Sequence, residues 1–274
     1  MRVERTQDSA EDSDVMPLSL LIIGAGRMGI AYAKAFAGKG LNVAVYAPPE
    51  RLEKVKGICQ GEGLAYAEQE KLPAFDIFFI ATSMGAIPGY LKLIDKKAKG
   101  KLIVEIGSVK SYLKKKLLRI RRNDVCLAHP LHGPDAISGR NCALIPYKIG
   151  DRQRYDEFVG LLVSLGLKVF DTTIEEHDLA VAQTQVLPHF LALGFGGLSD
   201  GADRRFITPT FEKMSEIAAR VKGHGSGLTE DIQKLNPYAK AWRKKMLGAL
   251  ARLNRDFVGK KKKAVSIGSI ESEV

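Results

Sequence analysis

The sequence predicts an α/β fold: a doubly wound, mostly parallel sheet followed by an all-helical C-terminal half. Three observations predict it. Short apolar runs alternate with stretches of helical period as far as Asp171, the signature of parallel strands joined by crossover helices. The glycine-rich turn Gly24-Ala25-Gly26-Arg27-Met28-Gly29 separates the first run from the first helix. From Glu175 to Val258 no strand pattern remains, and apolar residues recur at helical spacing.

Residues 1–16, rich in Asp, Glu and Ser and without periodicity, read as a disordered leader. Leu18 to Ile23 fits a buried strand and Met28 to Lys39 a helix stopped by Gly38 and Gly40. Val43–Tyr46 is the next strand, ended by Pro48-Pro49, and Glu50 to Gln60 is helical in pattern. Asp76 to Ala81 and Leu102 to Ile106 are buried strands on either side of a helix from Ile87 to Lys97. Val125–Ala128, Cys142–Ile145 and Leu167–Phe170 complete the strands. In the second half Leu179, Ala182, Val186, His189 and Leu193 fall on or near one helical face. A last helix opens at Asn236-Pro237, where Asn caps and Pro fills the first turn.

At one domain per ~150 residues, 274 residues divide into two. The boundaries expected are 17–173 for a dinucleotide-binding domain, 174–259 for a helical substrate and dimerisation domain, and 260–274 for a basic tail. Cys59, Cys126 and Cys142 form no CxxC pair and leave an odd thiol, which argues against a disulfide framework or a zinc site and for the cytoplasm. No apolar run approaches the ~20 residues of a membrane span, and the leader lacks a secretory pattern. Lys and Arg number 42 against 31 Asp and Glu, a net +11. Runs such as Lys260–Lys263 and Lys114–Lys116 read as solvated surface without the aromatic interleaving of a nucleic-acid binder, so no nucleic acid and no membrane is expected as partner. A basic surface does draw in anionic small molecules.

In the strand–turn–helix setting, the GxGxxG of Gly24, Gly26 and Gly29 reads as a Rossmann dinucleotide fingerprint. Gly24 makes the tight turn, Gly26 admits a pyrophosphate, and Gly29 lets helix and strand pack closely. Arg27 and Met28 open the helix whose N-terminal N–H groups face the diphosphate. An NAD-specific fold would carry Asp or Glu at the end of the second strand. Here Ala47-Pro48-Pro49 stands there, with Arg51 and Lys54 next, able to pair with a 2′-phosphate or simply exposed on a helix. The cofactor is NADP or NAD, with NADP favoured.

Gly107-Ser108-Val109-Lys110 and Ala128-His129-Pro130-Leu131-His132-Gly133-Pro134 each follow a strand's carboxyl end, where open sheets bind ligands. Glu176-His177-Asp178 and Gln185-Val186-Leu187-Pro188-His189-Phe190 lie on the first long helix of the second half. This order resembles the prephenate dehydrogenase family over residues 18 to 258. Thr208-Pro209-Thr210, Ile217-Ala218, Arg220 and Asp231-Ile232-Gln233 with Asn236 look like its archaeal branch.

The resemblance implies an NAD(P)-dependent oxidative decarboxylation of prephenate to 4-hydroxyphenylpyruvate, in tyrosine biosynthesis. It implies His129 as the base for the ring hydroxyl, Ser108 as its hydrogen-bond partner, and His189 as a substrate-binding histidine. Gln185 stands where the family has a serine and can still donate. Glu216 stands where bacterial members have the arginine for the ring carboxylate, and Arg220, one turn on, can replace it. Lys110 either binds substrate or pairs with Glu105. His177 either caps its own helix or touches substrate, with capping favoured, and His132 reads as a turn residue. His129 and His132 lack further ligands, so no metal is expected. Pro188 removes a helical N–H, freeing the Thr184 carbonyl and bending the helix.

Three readings compete with prephenate dehydrogenation. Arogenate dehydrogenation differs only in the substrate's side chain. Another two-domain NAD(P) reductase would commonly place a lysine on the helix after Glu175, and none occurs before Asp203. A non-catalytic cofactor-sensing dimer is favoured only by Glu216. A monofunctional homodimer joined through the helical half is expected.

Overall fold

The computed structural model describes residues 18–223 and 227–258; the expected leader and basic tail lie outside them. Eight strands, Ser19–Ile23 (β1), Asn42–Tyr46 (β2), Ala65–Tyr66 (β3), Ile77–Ile80 (β4), Leu102–Glu105 (β5), Asp124–Pro130 (β6), Asn141–Lys148 (β7) and Lys168–Asp171 (β8), form a single sheet. Their order is β3-β2-β1-β4-β5-β6-β7-β8. All neighbours run parallel except β6 and β7. The link 131–140 is too short for a crossover, which takes about a dozen residues, so β7 turns back as a hairpin. The strand order reverses between β1 and β4, the switch point at which open sheets hold ligands.

The helices of this half are Arg27–Ala37 (α1), Leu52–Gly61 (α2), Ile87–Lys97 (α3), Lys114–Leu117 (α4) and Arg152–Ser164 (α5). The third matches its expected bounds; the second starts late because Pro49–Arg51 winds as a 3₁₀ turn. The fifth was not expected, although Tyr155, Phe158, Val159 and Leu162 bury one face at helical spacing behind the Asp151 cap.

The helical half comprises Ile174–Val181 (α6), Leu187–Leu198 (α7), Pro209–Lys222 (α8), Leu228–Leu235 (α9) and Ala239–Val258 (α10). The single long helix expected after Glu175 is interrupted: Ala182–Val186 is a π turn, and the Leu187 N–H reaches back five residues to the Ala182 carbonyl. Pro188 causes this, because it offers no N–H to the Thr184 carbonyl and an α-helical ladder cannot pass through it. The extra residue also splits the expected apolar stripe. Ala182 and Val186 are buried, whereas Leu179 and Leu193 are 42% and 41% exposed. The last helix begins later than its Asn-Pro signal, since Asn236 first closes a turn by accepting the Tyr238 N–H at 2.9 Å.

Two apolar layers flank the sheet. One, with Tyr32, Phe36, Phe79 and Phe158, lies under α1 and α5. The other runs from Leu21, Ile103 and Leu127 into Ala182, Val186, Ile232 and Ala239, so sheet and helical half share one core.

Candidate active site

The glycine turn sits at the carboxyl end of β1, at the switch point. Gly24 has φ +112°, a left-handed backbone that L side chains avoid, and a Cβ there would strike the Ala81 carbonyl. A Cβ on Gly29 would collide with the Gly24 carbonyl, whereas Gly26 faces open space. No side chain caps α1 at Gly26, so its first N–H groups are left for an anion. The residues present therefore fit a dinucleotide diphosphate. Arg27 and Met28 form the first turn of α1, and Arg51 is exposed just past β2 with no carboxylate ending that strand.

His129 belongs to the sheet. Its strand was expected to stop at Ala128, but β6 continues to Pro130, and His129 pairs with Ala143 of β7. The alternation of a strand puts Val125, Leu127 and His129 on the face toward the helical half. The imidazole is only 3% exposed. Its Nδ1 lies 2.8 Å from His177 Nε2 on α6, and His177 Nδ1 lies 2.8 Å from Asp178 Oδ1. The Gln185 amide nitrogen, on the π turn, approaches His129 Nε2 at 3.5 Å, and Gln185 Oε1 is buried without a hydrogen-bond partner.

Asp178 anchors this chain. Its carboxylate accepts the main-chain N–H of Lys110 (3.0 Å) and of Ser111 (2.8 Å), and its carbonyl accepts Asn236 Nδ2 at 2.7 Å. Burial alone would raise its carboxyl, but the bonds from His177, Ser111 and Lys110 outweigh that and hold it below the ordinary value. Burial lowers the His177 imidazole against the pull of Asp178. Burial, with His177, Lys110 and His132 adding to it, holds His129 well below 6.5.

His177 and Asp178, singled out in the sequence as part of Glu176-His177-Asp178, take a role that sequence reasoning did not give them: they stand behind His129. His177 does not cap α6: Thr173 does, accepting the Glu176 N–H while Glu176 Oε2 accepts the Thr173 N–H. The Thr-x-x-Glu spacing was the available signal.

Lys110, open in the sequence to substrate binding or to pairing with Glu105, takes the second role in the structure. Its ammonium is fully buried, 2.8 Å from Glu105 Oε2, and donates to the Ala128 carbonyl at 2.6 Å. Those partners tie the end of β5 to the end of β6 and leave the ammonium nothing to offer a ligand. Ser108 stays half-buried on the connection after β5, and His189 half-buried on α7, one turn beyond Gln185. Arg220 lies exposed on α8 and makes no ion pair among the described residues. His132 is more than a turn residue: its Nε2 lies 3.0 Å from the hydroxyl of Tyr32 on α1, and its Nδ1 faces the Gly133 carbonyl at 2.7 Å. Among the described residues no group of His, Cys, Asp or Glu is placed to hold a metal ion.

Residues 19–108 match the family model described as NADP oxidoreductase, coenzyme F420-dependent. Over 80% of its length the chain is 25% identical to an arogenate/prephenate dehydrogenase of Methanocaldococcus jannaschii, and over 90% it is 22% identical to the chloroplastic arogenate dehydrogenase 1 of Arabidopsis thaliana. The alignments span 52% and 42% of those relatives. The prephenate dehydrogenase of Aquifex aeolicus, solved with hydroxyphenyl propionate and NAD+, superposes with a TM-score of 0.73 at 19% identity, covering 92% of this chain and 94% of that one. Curated names and solved structures point to the prephenate/arogenate dehydrogenases. The fold is theirs: a Rossmann-like sheet domain followed by helices. No helix among the described residues is long and apolar enough to cross a membrane.

Proposed function

We propose that the chain is a prephenate dehydrogenase of tyrosine biosynthesis, converting prephenate oxidatively to 4-hydroxyphenylpyruvate and carbon dioxide. The observation that carries this reading is the buried imidazole of His129 at the carboxyl rim of the sheet, hydrogen-bonded from behind by His177. A nicotinamide cofactor, when bound, takes the hydride from the ring carbon that bears the hydroxyl.

The chain's own residues supply the rest. His129 removes the hydroxyl proton as the carbonyl forms. Ser108 hydrogen-bonds that hydroxyl, Gln185 and His189 line the substrate, and Arg220 meets a carboxylate. Loss of the ring carboxylate as carbon dioxide makes the ring aromatic, so the protein's work is orientation rather than forcing that bond to break. The burial of His129 itself keeps bulk water from the base.

Arogenate is the second substrate reading, favoured by the name of the Arabidopsis relative. The bare end of β2 and the exposed Arg51 favour NADP over NAD. The organisation is a dinucleotide-binding domain over 17–173 and a helical domain over 174–259. The helical domain pairs with a twin through the apolar face of α10, where Leu247, Leu250, Leu253 and Phe257 are exposed. Three free buried cysteines suit a reducing cytoplasm.

The test is a spectrophotometric assay of prephenate and arogenate, each with NAD and NADP. His129→Asn should lower turnover by ~10²–10⁴ and leave cofactor affinity unchanged. Arg220→Gln should raise KM for substrate; an unchanged KM removes Arg220 from the site. Cofactor binding with turnover of neither substrate would instead select the non-catalytic sensor.

A further inference from the structure

We propose that Asp178 and His177 are positioning residues that lock His129 into one tautomer, with its proton on Nδ1 and a bare Nε2 facing the substrate. The inference rests on the dehydrogenase reading only for what the lone pair acts upon; the lock itself follows from the hydrogen-bond chain.

An ionised carboxylate can only accept. Asp178 already accepts two main-chain N–H groups from the connection after β5, and the ring nitrogen facing its Oδ1 at 2.8 Å must therefore carry a proton. A neutral imidazole has one proton, so His177 Nε2 is an acceptor. The next nitrogen along, His129 Nδ1 at 2.8 Å, must then be the donor. That leaves His129 Nε2 without a proton. The amide nitrogen of Gln185 is the group that approaches it, which is the polarity a bare nitrogen requires.

The chain runs one way: a donor on each histidine faces the acceptor behind it. Reversing it needs a second proton on His177, and the buried cation of Lys110 nearby disfavours added positive charge there. Asp178 is held on both sides of the site, by the connection that carries Ser108 and by Asn236 at the junction of α9 and α10. The lock is thus part of the scaffold and exists before substrate arrives. Its effect on rate is large because a base with its proton on the wrong nitrogen presents a donor to the hydroxyl it should deprotonate.

The experiment is ¹⁵N spectroscopy of the histidine rings in the full chain, with His129→Asn used for assignment, alongside kinetics of two His177 variants. In the wild type His129 should show a protonated Nδ1 and a bare Nε2. His177→Gln keeps a side-chain oxygen to accept from Nδ1 and should stay within ~10-fold in kcat, whereas His177→Leu should lose ~10²-fold or more with KM and cofactor affinity nearly unchanged. Asp178→Asn should move the proton of His129 toward Nε2, and this reading stands if a His177 variant fails to fold. A wild-type spectrum with the proton on Nε2, or His177→Leu within threefold of wild-type kcat, overturns the proposal. The spectrum needs no substrate, so a chain that turned over neither prephenate nor arogenate would sink the proposed function while leaving the lock to be judged alone.

Discussion

Two buried imidazoles, His129 and His177, each held below the ordinary 6.5, make the molecule respond to acid in a defined direction. Below pH 6.5 the unfolded chain takes up protons at both positions that the native chain refuses, so stability falls as pH drops. Above 6.5 both states carry neutral rings and the contribution vanishes. Denaturant unfolding between pH 5 and 8 should show this decline, and His129→Asn should flatten it. The same lowering keeps the base unprotonated in mild acid, so the acid limb of kcat/KM should lie below 6.5. His129, Ser108 and Gln185 were legible as site candidates because each sits in a short motif at a strand or helix signal. Asp178 was not, because its hydrogen-bond partners Lys110 and Ser111 lie far away in sequence and a carboxylate near a helix start reads as solvated. Lys110 carried a correct alternative, its pairing with Glu105. Lys110→Met should strand the buried Glu105 carboxylate and cost about 3–5 kcal/mol in chemical denaturation.

At the scale of elements, the strands and the glycine turn were readable because buried parallel strands are nearly unbroken apolar runs. The edge strand β3, with two residues, offers too little pattern to read. The direction of β7 is set by a loop length rather than by its own residues. The capping box at Thr173 fixes where α6 starts and hence where His177 points. Thr173→Ala should lower stability by about 1 kcal/mol, and kcat should fall more than the unfolded fraction explains. A variant that lost stability alone would show the cap to be without influence on the relay.

For the whole molecule, the helical half buries Ala182, Val186, Ile232 and Ala239 against the sheet yet leaves Leu198 and Phe206 90% and 78% exposed along with the apolar face of α10. Exposed apolar area of that kind marks an interaction surface. Light scattering should return twice the chain mass, and Leu250→Glu with Leu253→Glu should return one; a wild-type monomer would refute the twin. The two-half plan was visible in the change of periodicity after Asp171. The shared core was not, since an apolar cluster that takes in both Leu127 and Val186 leaves no local trace in sequence. The surplus residue wound into Ala182–Val186 has a reach beyond its own turn. The five residues of that turn sweep about the arc that four sweep, at ~100° apiece, in an ordinary helix, so deleting one between 182 and 186 would leave α7 aimed as before. What the surplus residue sets is the bulge that carries Gln185: a shortened chain could keep both halves in place yet withdraw that amide from His129.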